Sequence, residues 1–224
     1  MMSGDERMKM SIAAILTWMA LTGTGYAQAP APAGESSKGY VEGVAQSAFG
    51  NVTSQSFGVE LGFTVASPIQ VFVDVGYVRD AAPSDLGASA LVIAGFLSQT
   101  QNNVTFSGKE PITFGLAGLR YRIRSSAKVE PYLLAGGGMA QVKKDVSFSV
   151  NGSDVTATLP QLGVVLGTDL SGSETKPMAT LGVGLVWPAW QHLIIDFQYR
   201  YGRVFTSEQG LNVSRAGIGI GVQF

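Results

Sequence analysis

Apolar side chains recur at every second position through most of the chain from residue 40 onward. The pattern is clear in residues 69–78, where one face carries Ile69, Val71, Val73, Val75 and Tyr77. A period of two is that of a β-strand, in which successive side chains point to opposite faces. The pattern predicts an all-β chain with eight strands, at 40–49, 57–65, 69–78, 112–123, 129–142, 178–187, 192–202 and 214–224.

The connections between these strands alternate in length. Short connections lie at 66–68, 124–128 and 188–191, and the longest ones lie at 79–111 and 143–177. An even number of strands with short turns at one end and long loops at the other is typical of a barrel in an outer membrane. We therefore predict an eight-stranded antiparallel transmembrane β-barrel over residues 39–224, with short periplasmic turns and long extracellular loops.

A soluble lipocalin-type barrel also has eight strands and is the alternative to this fold. Its apolar face is the inner one and its polar face is the outer one. In this chain one face of the strands is continuously large and apolar, whereas the other carries glycine and charged residues. Only 14% of the residues are charged, compared with roughly 25% in ordinary globular domains. Both observations favour the membrane barrel.

The N-terminus has the features of a secretory signal. Arg7 and Lys9 precede the apolar run 11–23, and the small residues Gly25 and Ala27 suit cleavage by signal peptidase. Residues 1–27 are therefore predicted to be a signal peptide. A membrane anchor is the alternative, but the apolar run is short for a spanning helix.

Two further features concern this end of the chain. Asp5 and Glu6 are unusual ahead of a signal peptide, so translation could start at Met1 or at Met8. Residues 28–38 are rich in Pro, Ala and Ser and are predicted to be a flexible periplasmic spacer.

Aromatic residues cluster near the two ends of the predicted strands. Amphipathic aromatic rings favour the headgroup zone of a membrane, and two groups of aromatic residues that flank an aliphatic band predict two aromatic girdles. The extracellular girdle is predicted to contain Phe49, Phe57, Tyr77, Tyr199 and Tyr201. The periplasmic girdle is predicted to contain Tyr121, Trp187 and Trp190, with Phe224 at the same rim.

Three stretches resemble the small outer-membrane β-barrel family, the opacity-protein and OmpA-type group. They are "AGIGIGVQF" at the C-terminus, "VEPYLLAGGGMA" from residue 129 and "LIIDFQYRYGRVF" from residue 193. The resemblance covers roughly residues 38–224. It implies a location in the outer membrane of a Gram-negative bacterium, with outer-membrane lipids as partners. It also implies that Phe224 closes the terminal strand that the barrel-insertion machinery recognises.

Charged residues share the face of the strands that would look into the barrel. An eight-stranded barrel is just wide enough for side chains to fill it, and unpaired charge is costly in such a space. Four acidic and four basic residues are expected to form an ion-pair network that fills the lumen. The alternative is a low-conductance, porin-like channel lined by the same residues. The eight residues are Glu42, Glu60, Asp74, Arg120, Arg122, Asp196, Arg200 and Arg215.

The residues that carry common enzyme chemistry are scarce. The chain has no cysteine and a single histidine, so thiolate and multi-histidine metal sites are excluded and no cofactor is predicted. Some eight-stranded barrels modify lipid A, and such an enzyme is the second alternative. His192 follows the predicted turn 188–191, at the periplasmic end, whereas that substrate lies in the outer leaflet. A catalytic site is therefore not predicted.

The long loops are the predicted binding elements. Ser84 or Asp85 could cap a helix in loop 79–111, with Leu86, Ala90, Ile93 and Leu97 on one face. Asn151 and Gly152 predict a tight hairpin in loop 143–177. The formal net charge of -1 gives no reason to expect nucleic acid. The predicted function is a non-enzymatic, structural or surface-interaction role, with host or cell-surface ligands bound through the two loops.

Overall fold

The computed structural model describes residues 38–224, apart from 51, 126, 168–169 and 207–209. The predicted signal peptide, and the predicted spacer up to residue 37, lie outside the described residues. Lys38, the last residue assigned to the spacer, is already tied to the barrel, because its carbonyl accepts the backbone N–H of Thr64 at 2.9 Å.

The described chain contains ten strands, one α-helix and one 3-10 helix. In chain order they are β1 (Gly39–Phe49), β2 (Thr53–Ala66), β3 (Ile69–Val78), α1 (Ser84–Leu97), β4 (Val104–Lys109), β5 (Ile112–Arg122), β6 (Glu130–Val150), β7 (Ser153–Asp154), the 3-10 helix (Thr156–Leu162), β8 (Ser171–Pro188), β9 (Leu193–Val204) and β10 (Leu211–Gln223).

Eight of the strands close into a ring. The order around it is β1, β2, β3, β5, β6, β8, β9 and β10, and every neighbouring pair is antiparallel. The ring closes because β10 pairs with β1 from Gln223 opposite Tyr40 to Ser214 opposite Phe49. This confirms the predicted eight-stranded antiparallel barrel.

The two ends of the ring differ in their connections. We call one the short-turn end, because only residues 67–68, 123–129 and 189–192 connect strands there. The opposite end is the long-loop end, where β6 runs several residues beyond the ring. The projecting part of β6 pairs with β4 on one side and with the start of β8 on the other.

The tip of the projecting sheet is the predicted tight hairpin. Only Asn151 and Gly152 connect β6 to β7, and both have positive φ, at 50° and 81°. Two consecutive residues of positive φ are those of a type I′ turn, which asparagine followed by glycine adopts readily.

Burial alternates along the ring strands with the predicted period of two. In β3, Gln70, Phe72 and Asp74 are buried, whereas Val71 and Val73 between them are exposed. In a closed ring the buried face is the inner one. Val73 in β3 and Ile220 in β10 both point outward, as the alternation predicts.

The predicted helix in loop 79–111 is present as α1, but its N-terminal cap differs from the prediction. The capping position is occupied by Pro83, not by Ser84 or Asp85, and Pro83 makes no side-chain capping hydrogen bond. Leu86, Ala90, Ala94 and Leu97 are buried, and Ile93 is partly buried beside them. No helix in the described part of the chain is long and apolar enough to cross a membrane.

Candidate functional site

Two tyrosines project into the lumen from opposite sides of the ring. Tyr40 of β1 lies opposite Gly62 of β2, and Tyr132 of β6 lies opposite Gly184 of β8. A Cβ atom at residue 62 would lie 2.1 Å from the ring of Tyr40, and one at residue 184 would lie 2.3 Å from the ring of Tyr132. Each ring therefore occupies space on the barrel wall that only a glycine leaves open.

The guanidinium of Arg120 lies between these two rings. Its Cζ is 4.7 Å from the centroid of Tyr40 and 3.5 Å from that of Tyr132. Cations are attracted to aromatic faces at such distances, more strongly where water is excluded. Because β1 and β6 lie on opposite sides of the ring, these three side chains together span the lumen.

Arg120 also pairs with two carboxylates. Its nitrogens lie 3.5 Å from Glu60 and 3.1 Å from Asp196. The hydroxyl of Tyr40 donates to Glu60 at 2.5 Å, and the hydroxyl of Tyr132 donates to Asp196 at 2.7 Å. Each tyrosine therefore supports the carboxylate that neutralises the arginine between them.

A second arginine extends the cluster toward the long-loop end. Arg200 of β9 pairs with Glu60 and lies 2.9 Å from Asp74. Arg215 of β10 lies 3.7 Å from Asp74, with its guanidinium 4.2 Å from the ring centroid of Phe114. All these charged side chains are almost completely buried. Their ion pairs form one continuous chain from Asp196 to Arg215.

The structure places two of the eight predicted network residues differently. Arg122 pairs with Glu130 at 3.4 Å, and Glu130 is half exposed at the short-turn end. Arg122 lies on the same inward face of β5 as Arg120, but it is two residues nearer the short-turn end. It is therefore not part of the buried cluster. Glu42 is buried beside the cluster but has no ion pair among the described residues.

An apolar layer fills the lumen between the charged cluster and the long loops. The sequence analysis did not predict this layer. Its strand residues occupy the same alternate, inward-facing positions as the charged residues. Seven of the eight ring strands contribute to it, together with Ala81. The layer consists of Ala48, Val78, Ala81, Ile112, Phe114, Leu116, Ala140, Val142, Met178, Val204, Leu211 and Val213.

The long loops form a packed cap beyond this layer. Apolar residues of α1 pack with Val146 and Phe148 of the projecting part of β6 and with Leu159 of the 3-10 helix. The carboxylate of Asp80 accepts the backbone N–H groups of Ala82 and Glu110, each at 3.0 Å. Asp80 thus holds the two ends of loop 79–111 together.

The side chain of Glu110 is buried at the base of this cap. Burial raises its pKa to about 7, and Asp80 and Glu174 act in the same direction, whereas Lys144 opposes them. Glu110 lies outside the ring strands, just before β5.

The residues predicted for the aromatic girdles all lie on the outward face of the ring or in its turns. Phe57 and Tyr77 are direct neighbours on β2 and β3 at the long-loop end. At the short-turn end, Phe63 was not included in the prediction, yet its ring contacts that of Phe224 edge to face at 6.3 Å. Phe224 also exchanges two backbone hydrogen bonds with Gly39, of 2.8 and 2.9 Å.

His192 lies at the short-turn end, before β9. Its Nδ1 is 3.1 Å from the carbonyl oxygen of Gln223. Within the described ranges, no group of three or more histidine, cysteine or acidic residues is arranged to hold a metal ion.

Comparison with known proteins reveals similarity across nearly the whole chain. The family model for an outer membrane protein beta-barrel domain matches residues 19–224. Neisserial surface protein A has a similar structure, with 16% identity over 84% of this chain and 98% of that chain and a TM-score of 0.50. A major outer membrane protein from Thermus thermophilus gives 12% identity over 83% and 99%, also with a TM-score of 0.50.

At these identities the structural similarity concerns the fold alone. No curated protein sequence matches the chain. The family model covers more than half of the chain, however, and it agrees with the closed ring of eight strands. The chain therefore belongs to the family of outer membrane protein β-barrel domains.

Proposed function

We propose that this protein is a non-enzymatic outer-membrane anchor with a closed lumen, and that its capped long-loop end binds ligands outside the cell. The filled lumen carries this proposal. Arg120 lies between rings from opposite walls, an apolar layer follows, and the loops pack above it. A continuous water path would have to displace Arg120 and the apolar layer.

The outward face supports the role of an anchor. Aliphatic side chains such as Val73 and Ile220 are exposed between the two groups of aromatic residues, which is the arrangement that a bilayer stabilises. In this proposal residues 1–27 direct export, Phe224 is recognised by the insertion machinery, and the long loops face outward.

The cap supports the role in binding. Helix α1 buries one side in the cap, but Leu91, Val92 and Phe96 remain exposed, with Val92 at 74%. Residues 86–108 contain no charged side chain. Exposed apolar patches on stable proteins commonly mark interaction sites. We infer that this face of α1 is a contact surface for cell-surface ligands.

The position of His192 supports a non-enzymatic role. A serine nucleophile needs a histidine that is oriented by a carboxylate. The imidazole of His192 instead contacts the backbone of Gln223 at the short-turn end. In the proposed orientation this end lies across the bilayer from a substrate in the outer leaflet.

Planar bilayer recording tests the closed lumen. We expect no steady conductance from the wild-type protein and a leak from Phe114→Ala, which removes a ring from the apolar layer. Phe57→Ala removes the same ring from the outward face and serves as the matched control, without a leak. Steady wild-type conductance, unchanged in Phe114→Ala, would support the channel alternative.

Binding by the cap is tested on intact cells. Protease added outside should cut within 79–111 or 143–177 and should spare 189–192. The triple change of Leu91, Val92 and Phe96 to serine should reduce adhesion to immobilised cell-surface ligands while the barrel stays folded. Unchanged adhesion would exclude this face of α1 as the contact surface.

A further inference from the structure

The buried charged residues of the lumen do not balance. The four carboxylates are Glu42, Glu60, Asp74 and Asp196, and the three guanidinium groups are Arg120, Arg200 and Arg215. The eighth predicted member, Arg122, pairs with Glu130 at the rim. If every group were ionised, the buried cluster would carry one excess negative charge.

The excess can be assigned to one residue. Glu60 contacts two arginines, Asp74 contacts two, and Asp196 contacts Arg120. Glu42 is only 1% exposed and contacts none of the arginines at ion-pair distance. An isolated ionised carboxylate in such surroundings is very costly, and the usual result is that the group becomes neutral.

The charges that face Glu42 add to this cost. Glu60 lies directly opposite it in the pairing of β1 with β2. The other buried charged groups of the cluster are Asp196, Arg120, Arg200, Asp74 and Arg215, and each of the three arginines lies at ion-pair distance from a carboxylate other than Glu42. The nearest polar partner is the side-chain amide of Gln198, which is uncharged.

Glu42 also lies at the point where the ring closes. It is opposite Gly221 in the pairing of β1 with β10. A Cβ atom at residue 219 would lie 3.0 Å from the carboxyl group of Glu42, and one at residue 221 would lie 2.6 Å from its Cβ. The side chain therefore packs against the glycine-rich inner face of the last strand.

We propose that Glu42 is a neutral carboxylic acid in the folded barrel, and that losing its proton at alkaline pH weakens the closure between β1 and β10. The proton takes the place of the missing fourth guanidinium. This inference concerns the closure of the ring and does not depend on what the loops bind.

The hydrogen bonds around Glu42 can accommodate the proton. Gln46 Nε2 donates to Gln198 Oε1 at 3.2 Å, and Gln198 Nε2 donates to Glu42 Oε1 at 3.4 Å. A half-turn of each amide exchanges its oxygen and nitrogen, which reverses the chain. Glu42 can then donate its O–H to Gln198, and Gln198 can donate to Gln46.

The test compares urea unfolding of the barrel in lipid vesicles from neutral to alkaline pH. We expect the wild type to lose stability as the pH rises. Glu42→Gln should match the wild type at neutral pH and should lack that alkaline loss. Glu60→Gln is the matched control: it should be destabilised already at neutral pH, because Arg120 and Arg200 lose a charged partner.

Two results of the urea experiment would overturn the proposal. One is an alkaline loss in Glu42→Gln equal to that of the wild type. The other is destabilisation of Glu42→Gln at neutral pH as large as that of Glu60→Gln, which would show that the ionised form is required. Infrared spectroscopy of the wild type provides a readout that is independent of folding of the variant. A band from a buried, protonated carboxyl group should remain at a pH above about 7, where Glu110 has lost its proton, and should disappear on further alkaline titration. Its absence at that pH would refute the inference.

Discussion

Removing Arg200 should strongly destabilise the lumen. It contacts both Glu60 and Asp74, and all three side chains are buried. Replacing it with methionine keeps much of the side-chain volume in an unbranched, adaptable form but removes the charge. Two carboxylates would then each lose a partner at the same time.

The expected magnitude follows from the partners that remain. Removing one side of a buried ion pair typically costs roughly 3–5 kcal/mol. After Arg200→Met, Glu60 still lies 3.5 Å from Arg120, and Asp74 still lies 3.7 Å from Arg215. Because neither carboxylate is left entirely alone, we expect a loss at the lower end, about 3 kcal/mol.

The assay is reversible urea unfolding in lipid vesicles, with single-channel recording of the same samples. Arg203→Met is the matched control, because Arg203 lies on the same strand but is exposed, and its loss should cost less than about 0.5 kcal/mol. Arg215→Met should lie between the two, since Asp74 keeps its contact with Arg200 at 2.9 Å.

Equal and small effects of all three substitutions would refute the reasoning. Such a result would mean that water or a rearrangement compensates the carboxylates, and that the buried ion pairs do not hold the lumen closed. An effect of Arg203→Met larger than that of Arg200→Met would mean that the inward and outward faces of β9 had been exchanged.

Three further predictions concern the wall, the membrane face and the cap. Gly184→Ala should cost roughly 1–3 kcal/mol in urea unfolding because its Cβ would overlap the ring of Tyr132, whereas Gly43→Ala, which has nothing within 4 Å, should be neutral. Val73→Arg should cost roughly 2–4 kcal/mol if the side chain lies at mid-bilayer, and wild-type stability of this variant in vesicles would exclude that position. Because burial raises the pKa of Glu110 from 4.5 to about 7, the folded cap binds this proton more tightly than the unfolded chain does. The stability of the cap should therefore be highest below pH 4.5 and should fall as the pH rises toward about 7, and Glu110→Gln should abolish this change in the rate of loop proteolysis.

The local sequence pattern was sufficient to predict the ring strands and the inward and outward face of each. The period of two in segments such as 69–78 directly reflects the geometry of an extended chain, and each strand therefore reports its own inward and outward residues. The alternating connection lengths then imply antiparallel neighbours. For the same reason the hairpin at Asn151 and Gly152 was predictable, since its φ requirements depend on two adjacent residues.

The local sequence pattern does not indicate which side chains meet across the lumen. Arg120 and Arg122 are both arginines on the inward face of β5. Only Arg120 lies far enough from the short-turn end to pair with Asp196 on β9, whereas Arg122 pairs with Glu130. Which inward residues meet depends on the register of every strand between them and on the closure of β10 against β1. A period of two specifies neither.

The role of the apolar residues on the inner face is apparent only in the closed ring. Phe114 and Leu116 alternate with small residues, which is also the pattern of an outward, lipid-facing stripe. Only the closed ring brings them together with Met178 and Val204 in one layer. The sequence by itself determined the number of ring strands, their direction and their two faces, because these follow from the pattern of neighbouring residues and from the lengths of the connections. The tertiary structure alone decided that the lumen is filled, and that Glu42 is the carboxylate without an arginine, because these depend on contacts between strands that are far apart in the chain.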